Sequence, residues 1–180
     1  MTWRRISLYY VLGIVLGGYF LLFKWEPGSD KPIFTPKRVA QQSRFLPIAR
    51  EEIAEIELRR DGGAVLFRRD GEKWLVVEPA NAQVTSDLVT SFVENLTPEK
   101  EVQVIEESAK DLSAYGLDRP RVTVSVKAKN ILATVLIGDR NPTGSSVYVR
   151  KENSQQVVLL GSSVSHYEEL IFETAGLKKQ

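Results

Sequence analysis

The first part of the chain contains a long run of positions without charge. Residues 6–23 are 18 consecutive uncharged and mainly apolar positions. As an α-helix this run would be about 27 Å long, close to the hydrocarbon thickness of a bilayer. Trp3, Tyr19 and Trp25 lie near its ends, where amphipathic aromatic side chains favour the membrane interface. The pattern predicts a transmembrane helix, with residues 1–25 forming a cytoplasmic tip and a membrane anchor.

The charges beside this run predict its orientation. Arg4 and Arg5 precede it, whereas Lys24 follows it and is soon followed by the acidic residues Glu26 and Asp30. Because cytoplasmic flanks are enriched in Lys and Arg, we expect a single-pass protein of the cytoplasmic (inner) membrane, with its N-terminus in the cytoplasm. The remaining chain then lies on the periplasmic or extracytoplasmic side. The alternative is a cleavable signal peptide, but the residues after the run are not the small ones that a cleavage site needs.

Three glycines give the predicted anchor helix a flat strip. Gly13 and Gly17 are four positions apart, and Gly18 lies beside them. Such a strip allows another helix to approach closely, so these residues are candidates for a helix–helix contact. The alternative is that they reflect only the high frequency of glycine in membrane helices.

Residues 26–49 show no regular period and contain four prolines. Proline interrupts backbone hydrogen bonding, so this stretch predicts an extended tether. The extracytoplasmic domain is expected to span residues 50–180.

Alternating and helical periods divide this domain into two similar halves. In the first half, residues 53–58 alternate between apolar and polar side chains, and Asp61-Gly62-Gly63 predicts a hairpin turn. From Leu88 to Leu96 the apolar residues recur every three or four positions, as on the buried face of a helix. The predicted elements of this half are strands at 53–58, 64–69 and 73–77 and a helix at 86–96.

The second half repeats this plan with one added strand. A short helix at 108–115 is expected to end at Gly116, and Ser165 with Glu168 is expected to form a capping box for the last helix. The predicted strands are 101–105, 121–126, 131–137, 147–150 and 156–160, with the last helix at 164–175. The predicted fold class is α+β: an N-terminal transmembrane helix followed by two similar antiparallel β-meander-plus-helix modules, about 50–98 and 99–180. A chance likeness between the halves is the alternative.

Charge and composition exclude several classes of protein. The chain has 24 Lys plus Arg and 23 Asp plus Glu, and without Arg4 and Arg5 the balance is 22 against 23, a net charge of −1. A nucleic-acid partner is not expected, because binding it requires a basic excess. The absence of cysteine excludes disulfides, thiolate zinc sites, iron–sulfur clusters and a lipidated cysteine.

No catalytic, cofactor or metal site is expected. His166 is the single histidine, and we expect Glu168 and Glu169 to lie on other helix faces or in a solvated patch. The loop at 138–146 contains glycines and hydroxyl residues, but it lacks the lysine of a phosphate-binding loop. These features predict a protein that is not an enzyme and needs no cofactor.

Four arginines near the first hairpin are candidates for a docking surface. Arg59, Arg60, Arg68 and Arg69 are expected to concentrate positive charge near one hairpin end, where an acidic partner or anionic lipid headgroups would bind. The alternative is an exposed charged face that protects a sheet edge from aggregation.

Three stretches of the second half resemble a bacterial family. They are 111–120 (DLSAYGLDRP), 136–139 (LIGD) and 147–150 (VYVR). They are similar to the domain-of-unknown-function family numbered forty-three forty, and the resemblance extends over nearly the whole chain. It implies a membrane-anchored protein in an accessory role, because many members are encoded beside ABC-type transporter components resembling those of gliding-motility systems. It implies no catalytic residues.

These observations predict a membrane-anchored, non-catalytic accessory or interaction subunit of a cell-envelope membrane complex. Its expected partners are the lipid bilayer and other membrane proteins, with ABC transporter subunits suggested by the resemblance. The alternative from another class is an extracytoplasmic sensor or binder of a small ligand or an envelope polymer. An enzyme is the third hypothesis.

Overall fold

The computed structural model describes residues 45–46, 48–99, 102–129 and 131–177. The predicted membrane helix at 6–23, its strip of Gly13, Gly17 and Gly18, and the tether before Phe45 lie outside the described residues. Within the described ranges, none of the helices has the length and apolar character needed to cross a membrane.

The described residues form one eight-stranded antiparallel sheet and two α-helices. The strands are β1 (Ile53–Arg60), β2 (Gly63–Asp70), β3 (Lys73–Glu78), β4 (Gln103–Glu106), β5 (Val122–Ala128), β6 (Ile131–Arg140), β7 (Ser146–Lys151) and β8 (Val157–Gly161). They lie in the order β3-β2-β1-β5-β6-β7-β8-β4. The helices are α1 (Ser86–Leu96) and α2 (Ser163–Thr174), and short 3₁₀ helices span Arg50–Glu52 and Ser113–Tyr115.

The two predicted modules are not separate, and the predicted fold class is wrong in this respect. Strand β1 is hydrogen bonded to β5 through a register that pairs Ile56 with Val126 and Leu58 with Val124. Both meanders therefore belong to one sheet. Their apolar faces point the same way and meet in one core cluster, so joining them covers strand edges that separate modules would expose.

Both helices lie on the same face of this sheet. Helix α1 contacts β3, at one edge, and β8, near the other edge, and it also packs against α2. A flat sheet would hold these two strands far apart, so the sheet curls around the helix pair. The bounds of α1 confirm the helix predicted over 86–96. Its stripe of Val89, Phe92 and Leu96 is buried in the core.

The core includes residues that precede the first strand. Phe45, Leu46 and Ile48, which we call the leading segment, are each less than 5% exposed and belong to the main core cluster. They lie on the N-terminal side of the expected domain boundary at residue 50. The packed domain therefore includes the described end of the predicted tether.

A second, smaller cluster covers part of the opposite face of the sheet. Leu117, on the segment between β4 and β5, packs with Leu136 on β6 and Val157 on β8. The short helix predicted over 108–115 is only the single 3₁₀ turn at Ser113–Tyr115, but its predicted end at Gly116 is confirmed by a left-handed conformation with φ 65°. Residues 107–121, between β4 and β5, form what we call the covering segment. It leaves the same face of β3, β2, β1 and β5 without a helix.

Candidate functional site

A buried charged residue lies on the face of α2 that packs against the core. The buried residues of this helix are Val164, Ser165, Glu168, Ile171 and Phe172. Their spacing is that of a helix stripe, so Glu168 takes a position that the pattern otherwise reserves for apolar side chains. The predicted capping box is wrong: the helix begins at Ser163, with Ser162 at its N-cap, so Ser165 lies within the first turn.

Arg121, just before β5, connects this carboxyl to the surface. Its Nη2 lies 3.2 Å from Oε1 of Glu168 and also donates to the hydroxyl of Ser165. Its Nη1 lies 3.5 Å from Oε1 of Glu169, and Arg140 at the end of β6 reaches the same Glu169 oxygen at 3.3 Å. We call these five residues the α2 charge cluster. It joins the helix to two strand ends.

The environment of Glu168 disfavours its ionised form. The residue is 1% exposed, and among the described residues its Oε2 accepts no hydrogen bond. Burial raises the pKa of Glu168 to about 7, and the nearby negative charge of Glu169 adds to this effect, whereas Arg121, Arg60 and Arg140 oppose it. The desolvation of the carboxylate therefore outweighs the attraction of the arginines.

The sequence expectation placed Glu168 on another helix face or in a solvated patch, and for Glu168 this is wrong. The available signal was its spacing of four from Val164 and of three and four from Ile171 and Phe172. Glu169 is exposed as expected, and so is His166. Among the described residues, no group of three His, Cys, Asp or Glu side chains is placed to hold a metal ion.

The arginines predicted as a docking surface are divided between two faces of the sheet and two ends of the first hairpin. Arg59 and Arg60 end β1, whereas Arg68 and Arg69 lie near the C-terminal end of β2, at the opposite end of the hairpin. Arg60 lies over the ring of Phe172, with its guanidinium carbon 4.1 Å from the ring centroid, and donates to the carbonyl of Leu177.

The remaining arginines also have partners. The guanidinium of Arg69 lies 5.5 Å from the Trp74 ring centroid and donates to the carbonyl of Arg50. Arg59 and Arg68 lie on the helix-free face and pair with Glu57 and Glu55, respectively. The structure therefore does not bring the four guanidinium groups together, and the docking role stays a prediction.

The helix-free face carries a row of five side chains that cross five adjacent strands. The register pairs Leu75 with Arg68, Arg68 with Glu55, Glu55 with Lys127, and Lys127 with Leu132. Glu55 lies 3.3 Å from the Arg68 guanidinium and 3.9 Å from the Lys127 ammonium. Leu75 and Leu132, at the two ends, are 51% and 69% exposed. We call these residues the open-face row.

Two of the stretches that carry the family resemblance pack against each other. Gly138, on β6, lies so close to the turn at Tyr115 that a Cβ built on it would overlap the Tyr115 carbonyl oxygen. A Cβ built on Gly116 would likewise overlap the carboxyl group of Asp139. The Tyr115 ring packs edge-on against Tyr148, from the third stretch, with centroids 4.9 Å apart. These residues therefore hold the covering segment on the sheet.

The loop between β6 and β7 is closed by its own hydrogen bonds. The backbone N–H of Gly144 donates to the carbonyl of Asn141, and the N–H of Ser146 donates to the Asn141 side-chain oxygen. Its polar groups are thus used to shape the hairpin.

A small cleft lies beside the leading segment. It has a volume of about 140 Å³ and is lined by Leu46, Ile48, Arg50, Thr97 and Glu99 among others. Arg50 spans it, because its Nη2 donates to the Thr97 carbonyl at 3.1 Å. Pockets for small ligands usually measure about 300–1,000 Å³, so this cleft does not favour the ligand-binder alternative.

Comparison with known proteins gives one family match. The family described as "Domain of unknown function (DUF4340)" matches residues 74–168, more than half of the chain. The match includes the covering segment, strands β4 to β8 and the first half of α2. No match is found among curated proteins or among solved structures.

Proposed function

The chain belongs to the DUF4340 family, and we propose that it is a membrane-anchored, non-catalytic interaction subunit of a cell-envelope complex that binds its partner through the open-face row. The observation that carries this proposal is the pair of exposed leucines, Leu75 and Leu132, at the two ends of a salt-bridged row on the helix-free face.

The row has the dimensions and chemistry of a protein interface. Five neighbouring strands at about 4.8 Å spacing separate the two leucines by roughly 19 Å, within the width of an ordinary interface. The exposed leucines supply apolar anchors. The charges of Arg68, Glu55 and Lys127 between them fix the position of a partner whose surface carries complementary charges.

The proposed partner is a membrane protein, with subunits of an ABC-type transporter as the first candidates. The uncharged run at 6–23 supports a location in the membrane. The family resemblance supports the transporter, by analogy with members encoded beside such components. In the anchor helix that the sequence predicts, Gly13 and Gly17 are the candidates for a further contact within the bilayer.

The test is co-purification of the tagged full-length chain from native membranes in mild detergent. We expect transporter subunits to be recovered in stoichiometric amounts with the wild type. The double substitution Leu75→Ser and Leu132→Ser should lower their recovery at least tenfold, because it removes both apolar anchors. Ile105→Ser is the matched control, since Ile105 is also exposed but lies on β4, at the far edge of the sheet.

Two outcomes would contradict the proposal. Recovery of the wild-type chain without other membrane proteins would rule out the proposed role as an interaction subunit. Equal recovery of partners with the wild type and the double variant would place the contact elsewhere. Gly13→Leu with Gly17→Leu then separates a contact within the membrane from one made by the domain.

A further inference from the structure

The structure assigns to Glu168 a role that is independent of partner binding: we propose that it is a proton-binding site that sets how firmly α2 is held against the sheet. With a proton on the carboxyl, α2 is packed as described. When the proton leaves, the charge on the buried face of the helix favours conformations in which the helix opens to water.

The geometry supports this because the carboxyl belongs to the buried stripe of the helix. Glu168 lies between Val164 and Ile171 on the helix stripe, beside Phe172, and all three are fully buried. A carboxylate in such a place is stable only if both oxygens are well hydrogen bonded. Here Oε1 has Arg121 as its partner at 3.2 Å, but Oε2 has none among the described residues.

Arg121 is an incomplete partner because it serves several groups. Besides Glu168, its Nη2 donates to Ser165 and its Nη1 reaches Glu169. Among the described residues, its buried Nε donates to nothing. Loss of the Glu168 charge therefore leaves Arg121 with Ser165 and Glu169, so protonation does not strand a buried guanidinium.

The other charged groups around α2 define the field that acts on this carboxyl. Arg60 on β1 and Arg140 on β6 favour its ionised form, whereas Glu169 on the same helix opposes it. The two carboxylates of α1, Asp87 and Glu94, are exposed.

Strands β7 and β8, which also pack against α2, add little to the electrostatic field at Glu168. Strand β8 carries no charged residue, and β7 carries Arg150 and Lys151 at its C-terminal end. Arg150 donates to the carbonyl of Ser154. The pKa of Glu168 is therefore set by burial and Glu169, which raise it, against Arg121, Arg60 and Arg140, which lower it.

The pH range of the transition covers neutral conditions. Burial raises the pKa of Glu168 from 4.5 to about 7, so the packed helix keeps its proton under conditions in which the open helix loses it. Linkage between these two states predicts that the equilibrium constant for opening α2 rises roughly thirtyfold between about pH 5.5 and 8.5.

The test is hydrogen exchange of the full-length chain in detergent micelles, followed by mass spectrometry at pH 5.5, 7.0 and 8.5. Labelling times are scaled for the pH dependence of the chemical exchange rate. We expect peptides from α2 to lose protection as the pH rises, while peptides from α1 in the same molecule change much less. Glu168→Gln should remove the pH dependence of α2, because the amide cannot ionise.

The matched control is Glu169→Gln, which changes an exposed neighbour that also contacts Arg121 and should keep the pH dependence. The proposal is overturned if protection of α2 in the wild type changes less than threefold over this range, or if α1 and α2 change equally. It is also overturned if Glu168→Gln titrates like the wild type. Should that variant fail to fold, the comparison of α2 with α1 in the wild type still decides.

Discussion

At the scale of single residues, close contacts and burial explain why particular side chains stand where they do. Gly138 illustrates this, because it lies in a strand, where a β-branched residue would ordinarily be favoured. The carbonyl of Tyr115 occupies the space that its side chain would need. The glycine in the LIGD stretch is thus a consequence of the YGL turn that lies on top of it.

We therefore predict that Gly138→Ala destabilises the protein by about 2–3 kcal/mol, because a methyl group would push the covering segment off the sheet. Urea denaturation of the full-length chain measures the change. Gly161→Ala is the matched control, since a Cβ at this strand end meets no atom within 4 Å. A difference between the two variants below 0.5 kcal/mol, on the order of ordinary surface effects, would contradict the close contact.

Glu168 gives a prediction about the pH dependence of global stability. Its pKa is raised from 4.5 to about 7 on folding, so the folded protein binds more protons than the unfolded chain between these values. This contribution to stability is fully present below about pH 4.5 and is lost as the pH rises to about 7, by about 3 kcal/mol. Urea unfolding from pH 4.5 to 8 should show this loss in the wild type and in Glu169→Gln, but not in Glu168→Gln. A parallel pH profile for all three proteins would contradict it.

At the scale of elements, the local sequence pattern predicts a helix, whereas contacts with distant residues determine the partners of its side chains. The stripe of Val89, Phe92 and Leu96 was enough to predict α1, because each turn of an amphipathic helix repeats the same signal. The spacing of Glu168 on the helix stripe indicates its burial, but its pairing with Arg121 is not predictable from the helix, since Arg121 lies just before β5, far earlier in the chain. The α2 charge cluster thus depends on how α2 crosses the sheet, which the local pattern of the helix does not contain.

The leading segment belongs to the packed core, although the sequence predicts an extended tether for these residues. Phe45→Ala should destabilise the domain by about 3–5 kcal/mol, because it removes a large buried side chain from the main core. Chemical denaturation of the full-length chain provides the measurement. Leu132→Ala, at an exposed position, is the control and should change stability by less than about 0.5 kcal/mol. Equal effects of the two substitutions would show that Phe45 does not belong to the core.

At the scale of the whole molecule, the pairing of β1 with β5 decides the architecture. Residues such as Glu55 and Lys127 meet across this pair although they are far apart in the chain. The alternation of apolar residues predicts each strand, but it is satisfied equally by two small sheets and by one large one. This is why the strands were predictable and their union in one sheet was not. The open-face row escaped prediction for the same reason, because it exists only once five strands are in register.

The same central strand also determines how the domain bears mechanical load. The leading segment leads into β1 at Ile53, and at the other end of β1 Arg60 donates to the carbonyl of Leu177, which follows α2. The eight residues of β1 separate these points by about 23 Å at roughly 3.3 Å per residue. A pull applied between Ile53 and Arg60 therefore acts along β1, and antiparallel hydrogen bonds are perpendicular to their strands. The bonds to β2 and β5 would be sheared together rather than opened one after another, so tension is carried by the strongest direction of the sheet.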